Sequence, residues 1–171
     1  MSYRNAFNKD KFKAMIHYIV SKCGHKRNFG RTVLYKLLYF SEFNYFELYE
    51  NFIAHEDYEK YPRGPVPKHF FEAKEELIFE NKIEEIEHQI DSKRKQYSMV
   101  SLTEPNAKDL LNIEKEVIDD VINKIGNMNA SEISEYSHRD MPWMATEDYD
   151  IIDYGFVFYR DEEYTVRDYD I

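Results

Sequence analysis

The sequence predicts a mainly α-helical α+β fold, a single compact helical domain that carries one small wing-like β-hairpin. Two observations support this class. Apolar residues recur at helical spacing over most of the chain, and the spacing changes to strict alternation only around residues 86–101. The chain of 171 residues is long enough for one domain, and it has no internal repeat, low-complexity tract or flexible linker. We therefore expect one folded unit with a trailing acidic end.

The first half of the chain predicts three helices. The first covers about residues 10–22 and ends near Gly24, the second covers about 31–49, and the third covers about 68–81. A less regular stretch between the second and third helices is expected to hold an extended element.

The second predicted helix is apolar around more of its circumference than one packing surface needs. A leucine stripe lies beside an aromatic stripe that includes Tyr35, Tyr39 and Phe46. Two interpretations stay open. Either the helix is central and buried on two sides, or the aromatic stripe lines a groove that binds an apolar segment of a partner.

The segment 61–67, Tyr-Pro-Arg-Gly-Pro-Val-Pro, contains three of the five prolines of the chain. Each proline fixes φ and removes a backbone donor, so neither a helix nor a central strand can pass through the segment. We expect a rigid, ordered loop. It is either a structural corner before the third helix, or a binding element in which Gly64 and Pro65 hold the backbone and Arg63 is presented to a partner.

After the third helix the sequence predicts a hairpin and then a fourth helix. Alternation around residues 86–90 and 97–101 predicts two strands with a turn at 91–94, the arrangement of a wing. The fourth helix is expected to begin with Asn112 as its cap and to end at Gly126.

A short helix is predicted before Pro142, with Asn129 or Ser131 as its cap. Met141 and Trp143 flank this proline as an apolar wedge. A single tryptophan in such a position either fills the core or anchors an interface, and both interpretations stay open.

Four segments in this order resemble the Panacea domain, the SocA-like antitoxin family that is often found beside phage genes. The segments are 37–40, 61–67, 133–143 and 159–164. The resemblance covers about residues 10–165, with an N-terminal tail at 1–9 and an acidic C-terminal tail at 166–171. It implies an intracellular antitoxin that neutralises a co-encoded protein toxin by direct binding, or an adaptor that also delivers the toxin to a cellular protease.

Composition restricts the partner and the compartment. The net charge of −10 argues against a general nucleic-acid binder, which needs concentrated Lys and Arg. The sequence shows neither a membrane span nor a secretory signal. A single cysteine, Cys23, fits a reducing cytoplasm. An alternative class is a winged-helix-like regulator whose basic turn, Lys93, Arg94 and Lys95, contacts phosphate, and a phage accessory protein is a further alternative.

We expect no enzyme, no cofactor and no metal site. Cys23 with His17 and His25 does not provide a spaced set of four zinc ligands. His138 and Asp140 are two residues apart, so on a helix their side chains point away from each other, and no partnered nucleophile accompanies them. The candidate site residues are therefore partner-binding ones: Tyr35, Tyr39, Phe46, Arg63, Gly64, Pro65, Met141 and Trp143.

Overall fold

Helices and two short hairpins alternate along residues 7–169, which the computed structural model describes. In chain order the elements are α1 (Lys9–Cys23), α2 (Arg31–Tyr49), β1 (Tyr58–Tyr61), β2 (Gly64–Pro67), α3 (Phe70–Phe79), β3 (Ile83–Gln89), β4 (Lys95–Ser101), α4 (Asn112–Ile125), α5 (Ala130–His138), α6 (Met141–Met144) and a 3₁₀ helix (Tyr154–Tyr159). Strand β1 pairs with β2, and β3 pairs with β4, both antiparallel. The predicted mainly helical α+β class is confirmed, with one hairpin more than the sequence predicted.

Helix α2 lies at the centre of the core. It packs against α1, α4, α5, β2 and the 3₁₀ helix. Leu34, Leu37, Tyr39 and Phe43 are fully buried, on more than one side of the helix. The two apolar stripes in its sequence therefore serve packing on several sides, as one of the two interpretations expected.

The prediction that the proline segment is a loop was wrong. The segment forms the turn and the second strand of a hairpin. Tyr61 pairs with Gly64, which leaves Pro62 and Arg63 as the turn. The opposite edge of β1 is hydrogen-bonded to residues 149–152. Strand β2 is thus an edge strand, where prolines are tolerated because no neighbour requires their missing donors.

The wing-like hairpin β3–β4 is confirmed, and its turn lies between Gln89 and Lys95. Helix α3 is about two residues shorter at each end than predicted. Helix α4 begins one residue earlier than expected, since Leu111 is the cap and Asn112 is the first helical residue. Its end at Gly126 is confirmed, and the Glu114 carboxylate accepts a hydrogen bond from the Leu111 amide at 2.7 Å.

The caps and ends of the last helices follow the sequence signals. Asn129 caps α5 in a reciprocal box with Glu132, in which both hydrogen bonds measure 2.9 Å. Helix α5 ends at His138, before Pro142. This proline then lies in the first turn of α6, the position where its missing donor is harmless.

The segment after α6 returns across α2 and is held by Arg160. The Arg160 guanidinium, fully buried, donates to both Asp140 oxygens at 2.8 and 2.9 Å and to Glu47 at 3.0 Å. Burial alone would lower the pKa of Arg160, but Asp140 raises it, so the arginine stays charged. This clamp joins α2, the α5–α6 junction and the C-terminal segment.

The predicted tails lie partly outside the described residues, which exclude 1–6 and 170–171. Within the described part, Phe7 packs edge to face on Phe12, with 5.6 Å between ring centres. Contacts at the other end continue to Tyr169, whose hydroxyl donates to Glu47 at 3.0 Å. Among residues 7–169, no helix is both long and apolar enough to cross a membrane.

Candidate functional site

The two motif segments that the sequence singled out, 61–67 and 133–143, meet in space. Lys60, in β1, donates from Nζ to the Trp143 carbonyl at 3.1 Å and lies 4.7 Å from the centre of the Trp143 ring. The indole is 7% exposed, so it fills the core beneath the hairpin. The proline hairpin is thus held against α5 and α6, and the candidate site is built at this contact.

Gly64 lets the hairpin approach α2 and α5 closely. Its φ of +131° lies in the region that residues with side chains rarely adopt. A Cβ atom at this position would lie 2.9 Å from Lys36 Nζ and 2.9 Å from Ser137 Oγ. The backbone conformation therefore requires glycine, and the place of its missing side chain is occupied by the end of the Lys36 side chain.

Lys36 is the unusual residue of the site. Its side chain, on α2, is buried, with 2% of the residue exposed. Nine other buried polar or charged residues in the described part of the chain each have a hydrogen-bond or ion-pair partner: His17, Ser41, Glu42, Glu47, Glu56, Lys74, Glu114, Ser137 and Asp140. Lys36 has no such partner among the described residues. Burial, together with the charge of Arg63, lowers the pKa of Lys36 from its ordinary 10.5 to about 8.

His138 lies near Lys36; its ring is hydrogen-bonded to the Pro62 backbone, but one ring nitrogen has no partner among the described residues. Its ring stacks on Trp143, with 4.8 Å between ring centres, and its Nε2 atom is buried without a hydrogen bond to any described group. Burial and then the positive charge of Lys36 lower the pKa of His138. We call Lys36, Arg63, Gly64, Ser137 and His138 the Lys36 site.

The Lys36 site is locally positive in a chain whose net charge is −10. Lys36, Lys60 and Arg63 all come from the helix and hairpin that form it. The charge of Glu135 is the acidic influence on His138. This local excess of cations favours binding of an anionic group.

An open groove adjoins the site at the hairpin tip. It has a volume of about 350 Å³ and is lined by Thr32, Arg63, Ala130, Ser131, Ser134 and Glu135, and we call it the Arg63 groove. Arg63 is exposed and makes no hydrogen bond or ion pair with another described residue. Its guanidinium is therefore available to a partner.

The structure separates the members of the predicted aromatic stripe. Tyr39 is fully buried, and its hydroxyl donates to Asp140 at 2.8 Å. Tyr35 is half-buried and packs edge to face on Phe70, with 4.8 Å between ring centres. Phe46 is half-buried at the far end of α2. Since Tyr39 lies in the core, the three residues do not line one groove.

Phe46 borders a second open groove, of about 370 Å³, with Phe52 and Tyr154 among its lining residues. The ring centres of Phe46 and Phe52 are 5.1 Å apart. This apolar surface lies on a different part of α2 from the Lys36 site.

The remaining predicted site residues lie at the motif contact. Gly64 and Pro65 are buried, Met141 is half-buried, and Trp143 is buried beside His138. Arg63 is thus the predicted residue most accessible to a partner in this region, and a role of the others in binding stays a prediction.

Ser137 and Lys36 were not among the predicted site residues, although the sequence contains one signal for Lys36. Its neighbours three and four positions away, Thr32, Val33, Tyr39 and Phe40, include no carboxylate. A lysine among the apolar residues of a central helix, without an acidic neighbour in reach on that helix, is expected to be unpaired unless the tertiary fold supplies a partner.

The basic turn of the wing-like hairpin is partly neutralised. Arg94 pairs with Asp91 at 2.7 Å, and Lys95 pairs with Glu87 at 2.9 Å. Two of the three cations proposed to contact phosphate already have carboxylate partners. Across residues 7–169, no group of three or more His, Cys, Asp and Glu side chains is arranged to hold a metal ion.

The fold and site define a small, mainly helical domain in which a proline hairpin is docked on a central helix around a buried lysine. A model of the family described as "Antitoxin SocA-like, Panacea domain" matches residues 34–144, which include Lys36, the hairpin and Trp143. The match spans more than half of the chain, and the protein belongs to this family. Comparisons with curated proteins and with solved structures gave no significant match.

Proposed function

We propose that this protein is a cytoplasmic, non-catalytic antitoxin that neutralises a protein toxin encoded nearby by binding it directly. The observation that carries the proposal is the family match over residues 34–144, which spans both motif segments. Delivery of the toxin to a cellular protease would use the same binding step and would in addition shorten the lifetime of the toxin.

The hairpin tip supports a binding role. Arg63 is exposed, has no ion-pair partner within residues 7–169 and follows Pro62, in a hairpin whose strand β1 is hydrogen-bonded on both edges. The backbone that carries the guanidinium is already ordered, so little backbone entropy is lost when a partner binds. Arginine also provides several donors in a planar fork, which suits carboxylate and carbonyl groups of a protein partner.

A growth-rescue assay tests the proposal. The product of the neighbouring gene should arrest growth alone and should be harmless when this protein is co-expressed, and the pair should co-elute in size-exclusion chromatography. Sequence-specific DNA binding by the isolated protein at physiological salt would instead favour the winged-helix regulator. The lifetime of the toxin in cells with and without the antitoxin separates occlusion from delivery to a protease.

Arg63→Ala is expected to weaken the complex by about 2 kcal/mol, roughly 30-fold in Kd, with little change in thermal stability. Lys68→Ala is the matched control, because Lys68 is an exposed cation just after the same hairpin and outside the lining of the Arg63 groove. If Arg63→Ala bound normally and melted well below the parent, the arginine would be a structural clamp of the hairpin.

A further inference from the structure

We infer that the Arg63 groove receives a carboxylate of the protein partner, from an Asp or Glu side chain or a C-terminus, which pairs with Lys36 and Arg63. The inference deepens the proposed function and rests on it for the identity of the partner. The site itself can be tested on the free protein.

The inference rests on the absence of a counter-ion for Lys36 among the described residues. The other buried cations of the described chain have carboxylate partners, since Lys74 pairs with Glu85 at 2.9 Å and Arg160 pairs with Asp140 at 2.8 Å. An unpaired buried charge is strongly unfavourable, and protein interiors therefore pair such charges. In the free chain Lys36 lacks that pairing, and His138 Nε2 beside it also has no partner.

Lys36 is not part of the groove lining, but on three elements the residues around it lie directly beyond residues that line the groove. On α2, Thr32 lines the groove and Lys36 lies one turn further along. On α5, Ser134 lines the groove, and the residue one turn further along is Ser137, which faces Gly64.

The hairpin shows the same arrangement. Arg63 lines the groove, and the Lys36 side chain packs against the next residue, Gly64. The end of the Lys36 side chain thus lies behind this lining. In the inferred complex, a single carboxylate that enters past the guanidinium approaches the ammonium group.

The start of α2 adds a favourable field for an anion. Its N-cap, Gly30, provides no side-chain cap, and a Cβ atom there would lie 2.8 Å from the Tyr97 carbonyl oxygen, which leaves no room for a capping residue. The positive end of the helix dipole is therefore uncapped near Thr32, in the groove wall.

The chemistry of the site favours a carboxylate over a polyanion. The net charge of −10 repels nucleic acid over most of the surface, and Glu135 in the groove wall opposes a ligand of higher charge. A carboxylate matches the arginine fork and carries one charge, which Lys36 can balance.

NMR of the free, full-length protein with labelled lysine methylene groups tests the site directly. The probes are N-acetyl-Ala-Glu-Ala-amide, its Gln analogue and inorganic phosphate. We expect the Glu peptide to shift the Lys36 Cε signal and the amides of Gly64 and Ser137, and the Gln peptide to bind at least roughly ten-fold more weakly. Lys36→Met should abolish the shifts. Lys68→Ala, the surface control, should keep them.

Two results would overturn the inference. Phosphate that shifts the same signals while the Glu peptide does not would identify a small-anion site. No shift with any probe would show that the cleft does not bind anions.

A second experiment uses the complex with the toxin. Lys36→Met is expected to weaken toxin binding at least roughly ten-fold, since it removes one partner of a desolvated charge pair. Arg63→Glu is the second variant, because its exposed position does not endanger folding. Unchanged affinity of both variants for a toxin that the parent binds would refute the carboxylate inference and leave the antitoxin function intact. If the parent binds no toxin but the Glu peptide still shifts Lys36, the proposed function fails and the anion site stands.

Discussion

Replacing Lys36 by methionine is expected to stabilise the free protein at neutral pH. Methionine has a similar length and no charge, so it can occupy the space against Gly64 without an unpaired ammonium group. The substitution removes the unfavourable burial that lowers the pKa of Lys36 to about 8.

The magnitude and its pH dependence follow from that pKa. The difference between 10.5 and about 8, at about 1.4 kcal/mol per pKa unit, corresponds to roughly 3–4 kcal/mol of destabilisation by the charged lysine. Below pH 8 the lysine is charged in both states and this destabilisation is fully present. Between pH 8 and 10.5 the folded state loses its proton first, so the stability of the parent rises with pH through this window.

Urea unfolding of the parent and of Lys36→Met at pH 7 and at pH 9.5 measures the effect. We expect the variant to be more stable by about 1–3 kcal/mol at pH 7, allowing for relaxation around the charge, and the difference to shrink at pH 9.5. Lys68→Met, at an exposed position, should show no such pH-dependent difference. A variant that is less stable than the parent at pH 7 would refute the reasoning, because Lys36 would then make a stabilising interaction in the free chain.

Two further predictions concern the packing around the site. Gly64→Ala should destabilise the fold by about 2 kcal/mol or more in the same urea assay, because φ is +131° and the added Cβ would lie 2.9 Å from Lys36 Nζ. Gly155→Ala is the control and should have a smaller effect, because the nearest atom to its added Cβ is 3.2 Å away. Tyr39→Phe should lose about 1.5–3 kcal/mol with the hydrogen bond to Asp140, and Tyr39→Ala about 3–5 kcal/mol. Weaker toxin binding by Tyr39→Ala at unchanged stability would contradict the buried position of Tyr39.

Local sequence signals predicted much of the helical framework. The bounds of α2 agree with the prediction, because a glycine precedes the helix and its apolar periodicity runs without interruption to Tyr49. Gly126 was predicted correctly as the end of α4, and Asn129, one of the two predicted caps, begins α5, because caps act within one turn of the chain. Burial of α2 on several sides could be stated only as one of two interpretations, since periodicity does not say what covers an apolar face.

The hairpin at the proline segment and the Lys36 site could not be predicted from local signals. The hairpin depends on residues 149–152, which bond the far edge of β1 and leave the prolines on the open edge. Lys36 is enclosed by a hairpin and by α5, which begins 94 residues further along the chain. Such a site arises from long-range packing, and the sequence shows only that Lys36 has no acidic neighbour on its own helix.

Stability and binding measured together on Lys36→Met distinguish a packing defect from a binding site. If Lys36 is only a defect, the methionine variant gains stability and binds the toxin as the parent does. If a partner carboxylate completes the site, the same variant gains stability as a free chain and loses affinity in the complex, because the charge that destabilises the free protein is the one that the partner neutralises. Only the second case requires an open groove beside an exposed Arg63. The structure has this groove and this arginine next to Lys36, the one buried lysine of the described chain that lacks a carboxylate partner.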